Sequence, residues 1–165
     1  MKENKAEILE ASKDAAAVIA RLVAEAFGDV AAQFEITPQN CPTFPAFCRP
    51  EWIAESFDKG SRFFLASAQD GPVGCVGMTA PKEGSCDLVR LAVPPGYRHK
   101  GLGAMLIEHI MEQARTLGLG RVDLAIVARN ERLLHWYERN GFAVTHRKWP
   151  PHLPFEVAYM SRGLK

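Results

Sequence analysis

A chain of 165 residues, 47% hydrophobic and 24% charged, has room for a single domain (1–165) built on one sizeable core. Its formal charge of +1 gives no overall pull toward nucleic acid or an acidic membrane, so neither is expected as a partner. The N-terminus, MKENKAEILEASK, lacks the apolar run of a secretory signal, and the longest apolar run, Ala15 to Ala20, is far short of a membrane span; a cytoplasmic protein is expected, with Cys41, Cys48, Cys75 and Cys86 as free thiols.

In chain order, Ala6–Glu10 reads as a short strand, with Ser12 placed to cap the helix that follows. In that helix Val18, Ile19, Leu22, Val23, Ala26 and Phe27 form one apolar stripe, and Gly28 is placed to end it. Residues 29–50 contain TPQNCPTFPAFCRP and read as an irregular, proline-rich loop, a kind of segment that is often functional. A short helix over Glu51–Lys59 shows Trp52, Ile53 and Phe57 on one side. Arg62–Ala68 and Val73–Thr79 read as strands around an Asp70–Gly71 turn. Asp87–Val93 is a third strand, with Leu88, Arg90 and Ala92 on one face and Val89, Leu91 and Val93 on the other. Pro94 and Pro95 stop it.

A long helix spans about Gly101 to Leu117, with Gly118 beyond its end; Val122–Val127 is a strand and Asn130–Asn140 a helix capped by Asn130. Phe142–Arg147 and Phe155–Met160 close the chain as strands around a WPPHLP loop. This order implies an α+β, three-layer fold: a mixed, mostly antiparallel sheet of six to seven strands, flanked by helices.

The stretch GYRHKGLGAML (96–106) places charge and glycine where a helix begins. The first N–H groups of a helix have no internal partner and lie in the positive end of its dipole, so they attract anions. Glycine lets a bulky anion come close, and Arg98, His99 and Lys100 add donors and charge. Strand, turn and helix together describe a phosphate or pyrophosphate cradle. A Walker loop fails because Leu102 and Gly103 stand where Lys and Ser/Thr belong, and a Rossmann fingerprint fails because Leu106 stands at its third glycine.

What remains, Arg98-x-x-Gly101-x-Gly103 after a strand, resembles the pyrophosphate-binding motif of the GNAT superfamily of acetyl-CoA-dependent N-acetyltransferases. NERLLHWYERNGF (130–142) resembles that family's next motif. The two cover about Asp87 to Phe142. The resemblance implies acetyl-CoA as cosubstrate, held by the turn from Arg98 through Ala104 and by Asn130. It implies that backbone groups of Leu91 and Val93 pair with the pantetheine arm. It also implies a bulged strand splayed from its neighbour, a polarising N–H near Leu91 or Ala92, and Tyr137 as both cofactor contact and general acid. Tyrosine has an ordinary pKa of about 10, close to an alkyl thiol's.

Asp87 stands where the family often has a glutamate and is the first candidate base, acting through water. His135, Glu83 and Glu156 are weaker candidates. No metal is expected: Cys41 and Cys48 lack a matching ligand pattern. The family's acceptor wall maps onto residues 27–57 and 147–156, which offer Phe34, Phe44, Phe47, Trp52, Trp149 and Phe155 with Glu35, Glu51, His152 and Glu156. The expected activity is direct acetyl transfer to a primary amine of a small molecule or peptide. The alternative is a non-catalytic acyl-CoA sensing module on the same fold. A homodimer formed through the last strands is compatible with the resemblance.

Overall fold

The computed structural model describes residues 6–164; residues 1–5, part of the N-terminal stretch read above, and residue 165 lie outside the description. Among the described residues, seven strands form one sheet in the order β1-β2-β3-β4-β5-β7-β6. The strands are β1 (Glu7–Ala11), β2 (Arg62–Ala68), β3 (Gly71–Met78), β4 (Ser85–Ala92), β5 (Arg121–Val127), β6 (Ala143–Lys148) and β7 (Val157–Gly163). Only β4 and β5 run parallel; the other neighbours are antiparallel. Four helices flank the sheet: α1 (Ala16–Gln33), α2 (Pro50–Asp58), α3 (Leu102–Thr116) and α4 (Glu131–Arg139). The mixed, mostly antiparallel sheet is the one expected.

The sheet separates two apolar layers. On one face Leu106, Ile107, Ile110 and Met111 of α3 pack on Phe64, Met78, Leu88 and Val122 of the strands. On the other, Ile19, Leu22 and Val23 of α1 and Ile53 of α2 pack on Phe63 and Cys75. A third cluster, including Phe44, Phe155 and Val157, fills the space where α1 and its following loop meet β7.

Two expectations at α1 are corrected. Gly28 does not end the helix, which runs on to Gln33; the apolar stripe continues through Ala31, and its packing outweighs the cost of about 1 kcal/mol for one interior glycine. The chain breaks only at Glu35, where φ is +54°. Ser12 makes no side-chain cap: a short 3-10 turn, Lys13–Ala15, precedes α1, and Ala15 N donates to the Ser12 carbonyl at 3.0 Å.

A third correction concerns β4. Cys75 pairs with Ala92 but Gly77 with Val89, so β4 carries one extra residue against β3. Arg90, with φ +52°, sits in this bulge. The bulge breaks the even alternation read from the sequence. Leu88 lies in the layer beneath α3, whereas Ala92 lies in the layer beneath α1. On the opposite edge, β4 pairs with β5 only at Ser85, Cys86 and Asp87. Beyond Asp87 the two strands part, and their facing backbone groups line an open slot.

Candidate active site

The slot widens into a cleft of about 880 Å³. Leu88, Arg90 and Leu91 of β4, Leu124 and Ile126 of β5, and Asn130 and Tyr137 of the α4 segment line it. The β4 backbone from Leu88 onward has no strand partner on the β5 side. An extended chain laid in the slot would find those groups free, and the free edge includes Leu91 and Ala92.

Past the end of β4 the chain enters the glycine turn. Left-handed backbone at His99 (φ +65°) and Gly101 (φ +80°) curls it, and such curls gather N–H groups into anion-binding concavities. Gly101 is the N-cap of α3, and the first bond of the helix runs from Met105 N to Gly101 O at 3.1 Å. That leaves the N–H groups of Leu102, Gly103 and Ala104 without intrahelical partners. Space beside Gly101 is open. This helix start lies just past the end of β4, whose unpaired edge borders the slot.

The two glycines do different work. Gly101 supplies the left-handed angle. At Gly103 a Cβ would lie 2.9 Å from Cζ2 and Cη2 of Trp136, so its missing side chain makes room for α4 to pack on α3. Arg98 also differs from the expectation. Its Nε donates to Val93 O at 2.8 Å, its Nη1 to Asp29 Oδ2 at 2.6 Å, and its Nη2 to Ala26 O at 2.7 Å. The guanidinium therefore ties the turn to α1 rather than reaching outward. His99 and Lys100 are exposed on the turn.

Asn130 caps α4 by accepting from Leu133 N at 3.3 Å, yet it also lines the cleft, so cap and contact roles coexist. Tyr137 is only 6% exposed and lines the cleft. Burial drives its pKa well above the ordinary phenol value. The hydroxyl therefore stays protonated at any working pH.

At the point where β4 and β5 part, the parallel register sets Asp87 beside Asp123, and Asp123 beside Ser161 of β7. The Ser161 hydroxyl donates to Asp123, and Arg121 Nε approaches both carboxylate oxygens of Asp123 at 3.1 and 3.0 Å. Asp87 accepts no such bond; its backbone N–H donates to Thr79 Oγ1 at 2.9 Å. Partial burial, and then the negative charge of Asp123, raise the Asp87 pKa, while Arg121 pulls it back. The Asp87 carboxylate thus lines the cleft where β4 and β5 part.

The structure separates the other sequence candidates from this place. His135 pairs with Glu138 on the exposed side of α4, at 2.9 Å. Glu83 lies in the turn before β4 and Glu156 faces Arg147 at 3.9 Å, and neither lines the cleft. Phe44 and Phe155 line the cleft from the wall formed by the proline-rich loop and the last hairpin, whereas Trp149 is 61% exposed and outside it. Asp123, Arg121, Arg90 and Ser161 escaped the sequence reading. A trace existed for Asp123: it interrupts Val122–Val127 on the face opposite Val122, Leu124 and Ile126. Its partner across the sheet could not be read without the register.

A sequence model of the "Acetyltransferase (GNAT) family" matches residues 25–142. The chain is 34% identical over 94 residues to the streptothricin acetyltransferase of Streptomyces lavendulae, covering 54% of this chain and 49% of that protein. It thus spans about half the length of that relative. It is 28% identical over 128 residues to the [ribosomal protein bS18]-alanine N-acetyltransferase of Salmonella typhimurium, covering 74% of this chain and 82% of that protein. Among solved structures, a PaiA N-acetyltransferase from Thermoplasma acidophilum in complex with coenzyme A superposes with a TM-score of 0.79 at 17% identity, over 96% of this chain and 98% of that one, which shows a shared fold. The family match spans well over half of the residues, and on it the chain belongs to the acetyltransferase (GNAT) family.

Proposed function

We propose that the protein transfers the acetyl group of acetyl-CoA to a primary amine of a small molecule or peptide, by direct attack in a ternary complex. One observation carries the reading above the others: Tyr137, held protonated by burial, and a raised-pKa Asp87 line the same cleft, beside the unpaired β4 edge that leads to the glycine turn. In this reading the N–H groups of Leu102, Gly103 and Ala104 receive the pyrophosphate, and Asn130 donates from the cleft wall. The free edge at Leu91 and Val93 pairs with the pantetheine arm, and an N–H near Leu91 or Ala92 faces the thioester oxygen. Asp87 takes a proton from the ammonium, through water; the freed amine forms the N–C bond as the C–S bond breaks, Tyr137 gives its proton to the departing thiolate, and the second proton lost by the new amide nitrogen restores the Tyr137 hydroxyl.

Three of the cysteine thiols, Cys48, Cys75 and Cys86, are poorly suited to carry the acyl group. Burial pushes Cys75 up to about 12 and Cys86 up to about 11, and burial raises Cys48 as well. All four cysteines are free, which supports placement in a reducing cytoplasm. Among the described residues no helix is long and apolar enough to cross a membrane. Strand β6 is an edge strand with all but one residue exposed, and it is the surface through which two copies would pair; light scattering reads the mass.

The test is thiol release from acetyl-CoA against a panel of amines, with Tyr137→Phe beside the wild type. General acids contribute roughly 100-fold or more, so the variant should lose at least that much kcat and keep its coenzyme A affinity. A Tyr137→Phe protein that turns over at the wild-type rate removes the acid role. Binding of acetyl-CoA with no release to any amine makes the chain a sensing module instead.

A further inference from the structure

Four permanently or readily charged side chains line the cleft besides the exposed ring of His146: Asp87, Arg90, Arg121 and Asp123. Arg121 and Asp123 neutralise each other in the contact already described. Asp87 and Arg90 remain. They carry opposite charges, and neither has an ion-pair partner among the described residues.

In a regular strand, residues three apart point to opposite faces. Here they do not. Cys86 and Leu88 enter the layer beneath α3, which leaves Asp87 on the α1–α2 face. The bulge turns Arg90 to the same face, where its guanidinium carbon lies 6.0 Å from the ring centroid of Trp52 and its Nη1 donates to Cys48 Sγ at 3.7 Å. Both contacts hold the fork in place without cancelling its charge. The chain accepts a left-handed angle at a non-glycine residue to hold this arrangement. A half-buried guanidinium with no anion beside it suits a bidentate oxyanion, and among the groups an amine acceptor commonly carries that is a carboxylate.

We propose that the acceptor is an amine that also carries a carboxylate, an amino-acid-type zwitterion, with its ammonium at Asp87 and its carboxylate on Arg90. The proposal rests on the acetyltransferase reading and narrows its substrate class. The chemistry of transfer is unchanged: Arg90 binds and orients a part of the acceptor that does not react.

The experiment uses amine pairs that differ only in a carboxylate, lysine with cadaverine and ornithine with putrescine, in the thiol-release assay. In the wild type the carboxylated member of at least one pair should show a kcat/KM about tenfold or more above its twin, the scale of a charge-assisted hydrogen bond. Arg90→Gln should collapse that ratio to near one, and Arg90→Lys, which keeps the charge but loses the fork, should restore part of it. No preference in any pair, or a ratio that survives Arg90→Gln, overturns the proposal. So does a loss of coenzyme A affinity in Arg90→Gln, which would assign Arg90 to the cofactor. The wild-type ratio alone decides if the variants fail to fold. Absence of release from every amine, with acetyl-CoA still bound, overturns the acetyltransferase reading itself and this one with it.

Discussion

At position 103 one added methyl group would stand 2.9 Å from two carbons of Trp136. That contact, not the approach of an anion, makes Gly103 necessary to the fold. Gly103→Val should therefore cost about 1–3 kcal/mol of stability, the usual scale of overpacking, seen as a lower thermal midpoint. Trp136→Leu in the same chain should recover part of the loss, since the smaller side chain leaves the space. No recovery would mean that the strain lies elsewhere. Gly101 differs: nothing crowds a Cβ there, but φ is +80°, so its substitution strains the turn without touching a neighbour. The motif shows both glycines alike; only their neighbours tell them apart.

The strands act through register. The parallel pairing of β4 with β5 sets two carboxylates side by side, and the antiparallel pairing of β5 with β7 adds Ser161. Asp87 is held above its ordinary pKa by partial burial and then by Asp123, so the rate should fall as pH drops through that raised value and the base becomes protonated. Asp87→Asn should abolish this acid limb along with most of the rate. Asp123→Asn removes the neighbouring negative charge and frees Arg121 to face Asp87. Both effects lower the Asp87 pKa, so the limb should move to lower pH. A pH–rate profile that Asp123→Asn leaves in place would dismiss the coupling. The element that makes the site is the bulge: one extra residue on β4 opens the slot on one edge and re-aims Arg90 on one face.

Across the whole molecule, Arg98 joins layers that are far apart in the chain. It holds the phosphate turn to Asp29 and to the Ala26 carbonyl of α1, while Phe27 and Val30, on either side of Asp29, line the cleft. The glycine turn and this wall of the cleft are thus one connected body. Hydrogen bonding from Arg98 holds the Asp29 carboxyl below its ordinary pKa. The pair is intact above the unfolded value and is lost as pH falls through the folded one. Asp29→Ala should weaken coenzyme A binding several-fold although Asp29 need not touch the ligand, and adding Arg98→Ala should weaken it little further, because the two act as a unit. Fully additive losses by calorimetry would give Arg98 a contact of its own with the phosphates. Most of this architecture was legible beforehand. Hydrophobic period and proline and glycine stops are local, and local pattern determined most of the element order, while the Arg98–Gly103 and Asn130–Phe142 motifs carried the family resemblance and with it the expected cradle and the expected place of Tyr137. What only the tertiary structure decided depends on contacts between distant residues: the continuation of α1 past Gly28, the Arg98–Asp29 tie, the Gly103–Trp136 fit and the Asp87–Asp123 pair. The bulge stands between the two: the family resemblance implied it, but the strand's own alternation did not, because a bulge exists only against the partner strand that has one residue fewer.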